Sequence, residues 1–250
     1  MVALWPIMRL YWPVILPSQP YFRATMATSD RLLEAGAAIW DAQKRHPFVT
    51  ELADGTLDED AFLTWVRQDY RYLLDYARVF AIAGATARDE ETMTRLFDIA
   101  HTTLAEELDL HRAFAAEYGL SREALESVDK APTCVAYTNF LLRTAYEGTL
   151  PEIAAAIYPC GQGYLDIADH MADLAPTADH RYTPFIEKYT SDEFREVVDW
   201  LRAFVDRCGD RYPDQYPAME AAFLTSARLE YRFWEMAYRQ ETWGLPAARE

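Results

Sequence analysis

The stretch DEDAFLTWVRQDYRYLLDYARVFAIAGATA, residues 58–87, has the pattern of one long helix that is rich in aromatic side chains. A turn at Asp54-Gly55 precedes it, and Thr56 and Asp58 are both plausible N-caps. The stretch therefore predicts a long helix with a largely buried face.

Helical patterns continue on both sides of this stretch. Ser29 is a plausible cap for the helix before it, on which Leu33, Ala37 and Trp40 fall on one face. A later amphipathic segment has a strong N-cap at Thr190 or Ser191. The other predicted helices lie within residues 91–119, 121–128, 133–148, 150–175 and 218–243.

Features of other fold classes are missing from the sequence. Alternating strand patterns and Gly-rich phosphate loops do not occur, and the chain has only 9 Gly. No repeat, low-complexity linker or break in composition interrupts residues 29–243. We therefore expect a single-domain all-α helical bundle.

The charge of the chain excludes two classes of partner. The 250 residues include 40 acidic and 24 basic side chains, for a formal net charge of −16. Nucleic-acid binders and proteins that dock on anionic membranes need a basic surface, so we expect neither partner. Only three of the basic residues are Lys, which fits either solubility in concentrated salt or a coding bias toward Arg.

The first 25 residues differ from the rest. They are apolar and aromatic but interrupted by four prolines, too short and broken for a membrane span and unlike a signal peptide. Met26 then opens a sequence that reads as a natural start. We interpret residues 1–25 as a doubtful N-terminal extension, with a docking arm as the alternative, and residues 26–250 as the domain.

The cysteines indicate a compartment. Cys134, Cys160 and Cys208 are few, odd in number and widely spaced, and no Cys/His pattern has zinc spacing. A reducing, cytoplasmic location is the natural expectation.

Two acids lie on aromatic helix faces. Asp69 is flanked by Trp65, Tyr72 and Leu73 at helical spacings, so it needs a partner, either a structural Tyr or Arg or a ligand. Glu230 meets Phe233 and Trp234 in the same way. Burial there would raise its pKa, which suits an acid–base role, although a buried ion pair with Arg is the alternative.

Cys160 is the cysteine with the clearest chemical potential. Pro159 is expected to bend or restart the helix, which would place the thiol near a positive helix end that lowers its pKa. Gly161 and Gly163 leave space around the sulfur, and Tyr164 shares its face. An inert buried cysteine is the alternative.

A metal site is a further alternative. Glu107 and His111 are spaced i, i+4, as are Asp166 and His170, and such pairs can contribute to a di-iron site. The usual Glu-x-x-His spacing is missing, so we expect these residues to lie on solvated faces or act as ordinary caps, with a metal site as the minor alternative.

Five segments together resemble the TenA family, also called thiaminase II or aminopyrimidine aminohydrolase. They occur in family order and span roughly residues 29–243. The segments are HPF at 46–48, QDYRYL at 68–73, YPCGQGY at 158–164, FIEKYTSDEF at 185–194 and SARLEYRFWEMAY at 226–238.

The resemblance implies a fold, an activity and an assembly. The family fold resembles haem oxygenase, and its members commonly form homotetramers. They hydrolyse pyrimidines that carry an aminomethyl or thiazolium-methyl group, which yields hydroxymethylpyrimidine for thiamine salvage. No metal or organic cofactor is expected.

The resemblance also assigns residues. Cys160 matches the catalytic cysteine and Glu230 the catalytic glutamate, while Asp69 matches the acid that holds the aminopyrimidine. The remaining positions match aromatic residues of the substrate pocket: Tyr72, Tyr137, Tyr164, Tyr189 and Phe233.

The chain departs from the family at two positions. Gln162 stands where a Trp is common, close enough to Cys160 to affect substrate preference, and Phe185 replaces another Trp but keeps its aromatic character. The expected mechanism is addition of the Cys160 thiolate to the ring with Glu230 as acid and base. The alternatives are a di-iron or cofactor-free oxidase on the same fold, or a pyrimidine-binding regulator without turnover.

Overall fold

A computed structural model describes residues 26–175 and 179–244, and within these ranges every regular element is helical. The all-α prediction is confirmed for this part of the chain. The elements are α1 (Thr28–Lys44), α2 (Pro47–Asp54), α3 (Glu59–Thr86), α4 (Glu90–Thr102), a π-helical turn (Thr103–Glu107), α5 (Leu108–Glu117), α6 (Arg122–Glu126), α7 (Pro132–Glu147), α8 (Leu150–Leu174), α9 (Thr183–Tyr189), α10 (Asp192–Arg211), a 3-10 turn (Pro213–Gln215) and α11 (Tyr216–Tyr238).

The interpretation of residues 1–25 as an extension lies outside the described residues. It stays a prediction.

Local capping sets the starts of the long helices. The Asp58 carboxylate accepts hydrogen bonds from two backbone N–H groups of α3, and the Ser191 hydroxyl accepts one from Phe194 of α10. Asp58 and Ser191 are therefore the caps among the candidates that the sequence offered.

The prediction for α1 was wrong in two respects. Its N-cap is Ala27, and Ser29 lies inside the helix, where its backbone N–H donates to Asp206 at 2.7 Å. The buried face carries Leu32 and Gly36 in place of the predicted Leu33 and Ala37, whereas Trp40 is buried as predicted. Gly36 permits this rotation, because a Cβ there would approach Phe223 to 2.9 Å.

Helix α8 forms the centre of the bundle. It packs most extensively on α10 and α11 and also touches α1, α2, α3, α7 and α9. Helix α3 packs on α4, α7 and α11. Asp69 lies on α3, Cys160 on α8 and Glu230 on α11, and these three helices pack against one another.

Within the described ranges, no helix has both the length and the apolar character required to cross a bilayer.

Candidate active site

A cavity opens between α3, α8, α9, α10 and the π-helical turn. The volume free of protein atoms, in the cavity and its open mouth together, is about 460 Å³. The lining residues with a polar group are Asp69, Tyr76, Thr103, Glu107, Cys160, Tyr164 and Tyr189. The other lining residues are apolar. The sequence predictions Asp69, Cys160, Tyr164 and Tyr189 thus meet in one place.

Asp69 has a cationic partner that the sequence did not reveal. Its Oδ2 atom lies 2.7 Å from Nε2 of His111, on α5, and both side chains are buried. The Nε2 atom lies within ion-pair distance of the Asp69 carboxyl group but outside the angular limits of a hydrogen bond. The alternative in which Asp69 pairs with a Tyr or an Arg was therefore wrong.

The second ring nitrogen of His111 shows which nitrogen carries a proton. Nδ1 lies 2.8 Å from the backbone carbonyl oxygen of Glu107, which can only accept a hydrogen bond. Asp69 raises the pKa of His111 against the effect of burial, which lowers it. The raised pKa favours a protonated His111, which holds the Asp69 side chain beside the cavity.

Glu107 brings a second carboxylate to the same cavity. It is the last residue of the π-helical turn, which interrupts the helix that the sequence predicted over residues 91–119. π-Helical turns insert an extra residue and redirect side chains, often at functional sites. Burial raises the pKa of Glu107 to about 7, and nearby His111 acts in the opposite direction.

Cys160 lies in the interior of α8, not at a helix N-terminus. Pro159 is accommodated inside this helix without restarting it, so the prediction of a lowered thiol pKa was wrong. Burial, reinforced by the charge of Glu230, raises the pKa of Cys160. The thiol nevertheless reaches the cavity, and Tyr164 shares its helix face as predicted.

Behind the thiol, Glu230 begins a chain of hydrogen bonds. Tyr137 donates to Glu230 Oε1 and lies 2.9 Å from the Ser226 hydroxyl. Ser226 in turn donates to the backbone carbonyl of Ala156 at 2.7 Å. The chain ties α11 and α7 to α8 close to Pro159 and fixes the Glu230 carboxyl.

Glu230 is the acid whose environment favours the protonated form. Burial raises its pKa to about 8, although hydrogen bonds from Tyr137 and Cys160 act in the opposite direction. No Arg pairs with it among the described residues. The predicted raised pKa is therefore confirmed, and the alternative of an ion pair with Arg was wrong.

The predicted aromatic residues form a continuous wall. Tyr72 packs on Tyr137 at 5.0 Å and on Phe233 at 5.7 Å between ring centroids, and Tyr164 packs on Tyr189 at 4.9 Å. The Tyr72 hydroxyl is buried near Cys160 and has no hydrogen-bond partner at proper geometry. It is therefore a free donor beside the sulfur.

Tyr137, Tyr72, Phe233 and Glu230 do not line the cavity directly but support the residues that do. Several residues in or behind the cavity were missed as parts of the site, and the polar ones include His111, Glu107, Thr103, Ser226 and Tyr76. The i, i+4 pair Glu107 and His111 was the one available signal, and it was read as a metal pattern.

Gln162 does not face the cavity. It accepts a hydrogen bond from the Tyr158 hydroxyl at 2.9 Å and donates to Asp166 at 2.8 Å, and Asp166 also accepts from Trp40. A position two residues after Cys160 points to another side of α8. The expected effect of Gln162 on substrate preference thus finds no support in its position.

Phe185 fills its predicted aromatic place. It is buried and meets Trp65 edge-on at 5.0 Å.

A metal site requires several ligand side chains that converge on one point. Among residues 26–175 and 179–244, no three His, Cys, Asp or Glu side chains are grouped so that they could hold a metal ion. His111 instead pairs with Asp69, and Asp166 pairs with Gln162 and Trp40.

Comparison with known proteins places this geometry in a family. The model of the TENA/THI-4/PQQC family matches residues 34–240. A protein of Halalkalibacterium halodurans named aminopyrimidine aminohydrolase is 39% identical over 87% of this chain and 98% of its own length. The structure of a TenA homologue from P. horikoshii superposes with a TM-score of 0.80 at 30% identity, covering 85% of this chain and 99% of that one.

A more distant structure supports the fold alone. A domain from Shewanella denitrificans, described as having a heme oxygenase-like fold, has a TM-score of 0.68 at 16% identity and covers 86% of this chain and 94% of its own. The predicted haem-oxygenase-like bundle is thereby confirmed. With its family model covering most of the domain, the chain belongs to the TENA/THI-4/PQQC family.

Proposed function

We propose that the chain hydrolyses the C–N bond at the aminomethyl or thiazolium-methyl group of a 4-aminopyrimidine, as a thiaminase II, and releases hydroxymethylpyrimidine for thiamine salvage. The observation that carries this is the cavity in which Asp69 and Cys160 meet while Glu230 stands behind the thiol. The name of the Halalkalibacterium relative supports the same activity.

Binding follows from the charges and rings of the cavity. The carboxylate of Asp69, held by His111, accepts a hydrogen bond from the exocyclic amino group of the pyrimidine. Tyr164 and Tyr189 offer faces on which a flat, electron-poor ring stacks. These contacts orient the ring toward Cys160.

The first chemical step joins Cys160 to the ring. Sγ bonds to an electron-poor ring carbon, and the thiol proton passes to the Glu230 carboxyl behind it. The proton of Glu230 passes to a ring nitrogen through a water molecule in the cavity, because Glu230 itself does not line it. Because a neutral carboxyl both gives and receives a proton, the raised pKa of Glu230 suits this relay. The Tyr72 hydroxyl is free to donate to the developing thiolate.

The remaining steps exchange the amine for water. The electron-rich adduct expels the protonated amine as ammonia and leaves an exocyclic methylene, to which water adds. The proton of the water passes through Glu230 to the ammonia, and the thiolate then departs with the proton of the ring nitrogen. The net reaction turns R–CH₂–NH₃⁺ and water into R–CH₂–OH and ammonium.

The proposal extends to surroundings and assembly. We infer that the protein works in the cytoplasm, acts without a metal or organic cofactor, and forms a homotetramer. Exposed apolar side chains on α4 and the π-helical turn, among them Phe97 at 43% exposure, fit a surface covered by another subunit. Light scattering of the full chain tests the tetramer.

The activity itself is tested by ammonia release from an aminomethyl-substituted 4-aminopyrimidine and from thiamine. We expect turnover by the wild type and a loss of about 10³-fold or more in Cys160→Ala, which removes the nucleophile. Near-wild-type kcat in a folded Cys160→Ala would contradict the covalent route. Tight binding without ammonia release by the wild type would indicate a pyrimidine-binding regulator.

A further inference from the structure

Glu107 is the one carboxylate of the cavity that the reaction above does not use. It is half-buried, it lines the same space as Cys160, and its side chain makes no hydrogen bond or ion pair with the described residues. Asp69, in contrast, is paired with His111. A carboxylate that faces a binding cavity without a protein partner is available to bind a cationic ligand.

The charges around Glu107 leave one negative charge uncompensated. Asp69 and His111 offset each other, and Glu106 adds a further negative charge nearby. Lys188 acts on Glu107 through space but forms no ion pair with it. An ionised Glu107 therefore makes the cavity attractive to a ligand that carries a single positive charge.

The proposed substrate and product differ in this charge. An alkylamine is largely protonated at neutral pH, whereas the hydroxymethyl group that replaces it is neutral. The two molecules have nearly the same size and share the aminopyrimidine ring. A carboxylate that faces the changing substituent would hold the substrate more tightly than the product.

We propose that Glu107 binds the cationic aminomethyl group of the substrate and so sets a preference for a charged over a neutral substituent. This inference rests on the proposed function. The π-helical turn that ends at Glu107 is the structural device, because the extra residue brings this side chain to the cavity while His111 lies against Asp69. Release of the product follows from the loss of the charge.

The test compares Glu107→Gln with Glu106→Gln, its exposed neighbour on the same turn. We expect Glu107→Gln to raise KM for the aminomethyl substrate about tenfold, which corresponds to about 1.4 kcal/mol. The inhibition constant of the hydroxymethyl product should change less than about twofold. Glu106→Gln removes a charge that is exposed and outside the cavity lining, so it should change either value by less than about twofold. Glu107→Asp should restore part of the affinity.

The pH dependence supplies a readout that a merely structural role would not move. The KM ratio between Glu107→Gln and wild type should shrink toward one below about pH 7, where wild-type Glu107 becomes protonated. Equal losses for substrate and product, or no change in either, would overturn the inference while wild-type turnover stands. No turnover by the wild type itself would instead overturn the proposed function, and this inference with it.

Discussion

Two buried carboxyl groups close to one cavity have opposite surroundings. Asp69 lies against the imidazole of His111, whereas Glu230 lies among hydroxyl groups, a thiol and aromatic rings, and no cation pairs with it within residues 26–175 and 179–244. Burial raises the pKa of Glu230 to about 8, while the pKa of His111 is raised by Asp69. The difference separates a charged group that binds from a neutral group that transfers protons.

The largest expected effect comes from removing the protons of Glu230. Glu230→Gln keeps the shape and the acceptor for Tyr137 but cannot relay protons, so kcat should fall about 10²- to 10⁴-fold with little change in KM. Ammonia release under steady-state conditions measures both constants.

Asp69→Asn is the corresponding variant of the binding carboxyl group, to be compared with Glu230→Gln. It removes the charge that faces the substrate and should raise KM by about tenfold or more, with a smaller effect on kcat than Glu230→Gln has. If the two variants show the same division between KM and kcat, the separation of roles is wrong.

The next effect concerns the cation behind Asp69. His111→Gln removes one partner of a buried ion pair, which should lower the free energy of unfolding by about 3 kcal/mol and raise KM for the substrate. Urea denaturation followed by circular dichroism measures the first quantity. A variant as stable as the wild type would show that His111 does not hold Asp69.

A smaller effect should appear in the dependence of stability on pH. The folded-state pKa of Glu230 lies above its unfolded value, so the folded chain binds more protons between about pH 4.5 and pH 8. The stability this group contributes is present at low pH and is lost as pH rises through that window.

The free energy of unfolding of Glu230→Gln should therefore fall less between pH 5 and pH 8 than that of the wild type, by a few kcal/mol. Denaturation at several pH values checks this sign. Parallel curves for the two proteins would mean that Glu230 is ionised in the folded chain.

The sequence predicted the main residues of the site but not how they pair across helices. Asp69, Cys160 and Glu230 stand out because a polar group on an aromatic helix face is costly without a partner. The identity of the partner depends on how α5 packs against α3, which periodicity within one helix does not reveal. His111 was therefore missed as the partner of Asp69.

Backbone irregularities account for two further differences. The π-helical turn at Thr103–Glu107 lies inside an uninterrupted helical pattern, so helical periodicity did not indicate that Glu107 reaches the cavity. Pro159 suggested a new helix start at Cys160, but α8 continues through it because packing on α10 and α11 holds the helix together. Local propensity was overridden by tertiary structure at both places.

The smallest expected effect concerns Gln162, whose side chain lies outside the cavity. Gln162→Leu leaves the buried Tyr158 hydroxyl without its acceptor and should lower the free energy of unfolding by about 1–2 kcal/mol. Its kcat/KM values for thiamine and for the aminomethylpyrimidine should both stay within about threefold of wild type. A tenfold change in their ratio would show that this position does control substrate preference.

The most direct measurement is infrared difference spectroscopy of the carboxyl groups during a pH titration. We expect the wild type to show protonated-carboxyl absorption at pH 6 with two components, one lost with a midpoint near pH 7 from Glu107 and one near pH 8 from Glu230. The component near pH 8 should be present in Glu107→Gln and absent in Glu230→Gln. A spectrum without this component above pH 5, or one unchanged by Glu230→Gln, would contradict the claim that Glu230 is the neutral, proton-transferring acid of this site.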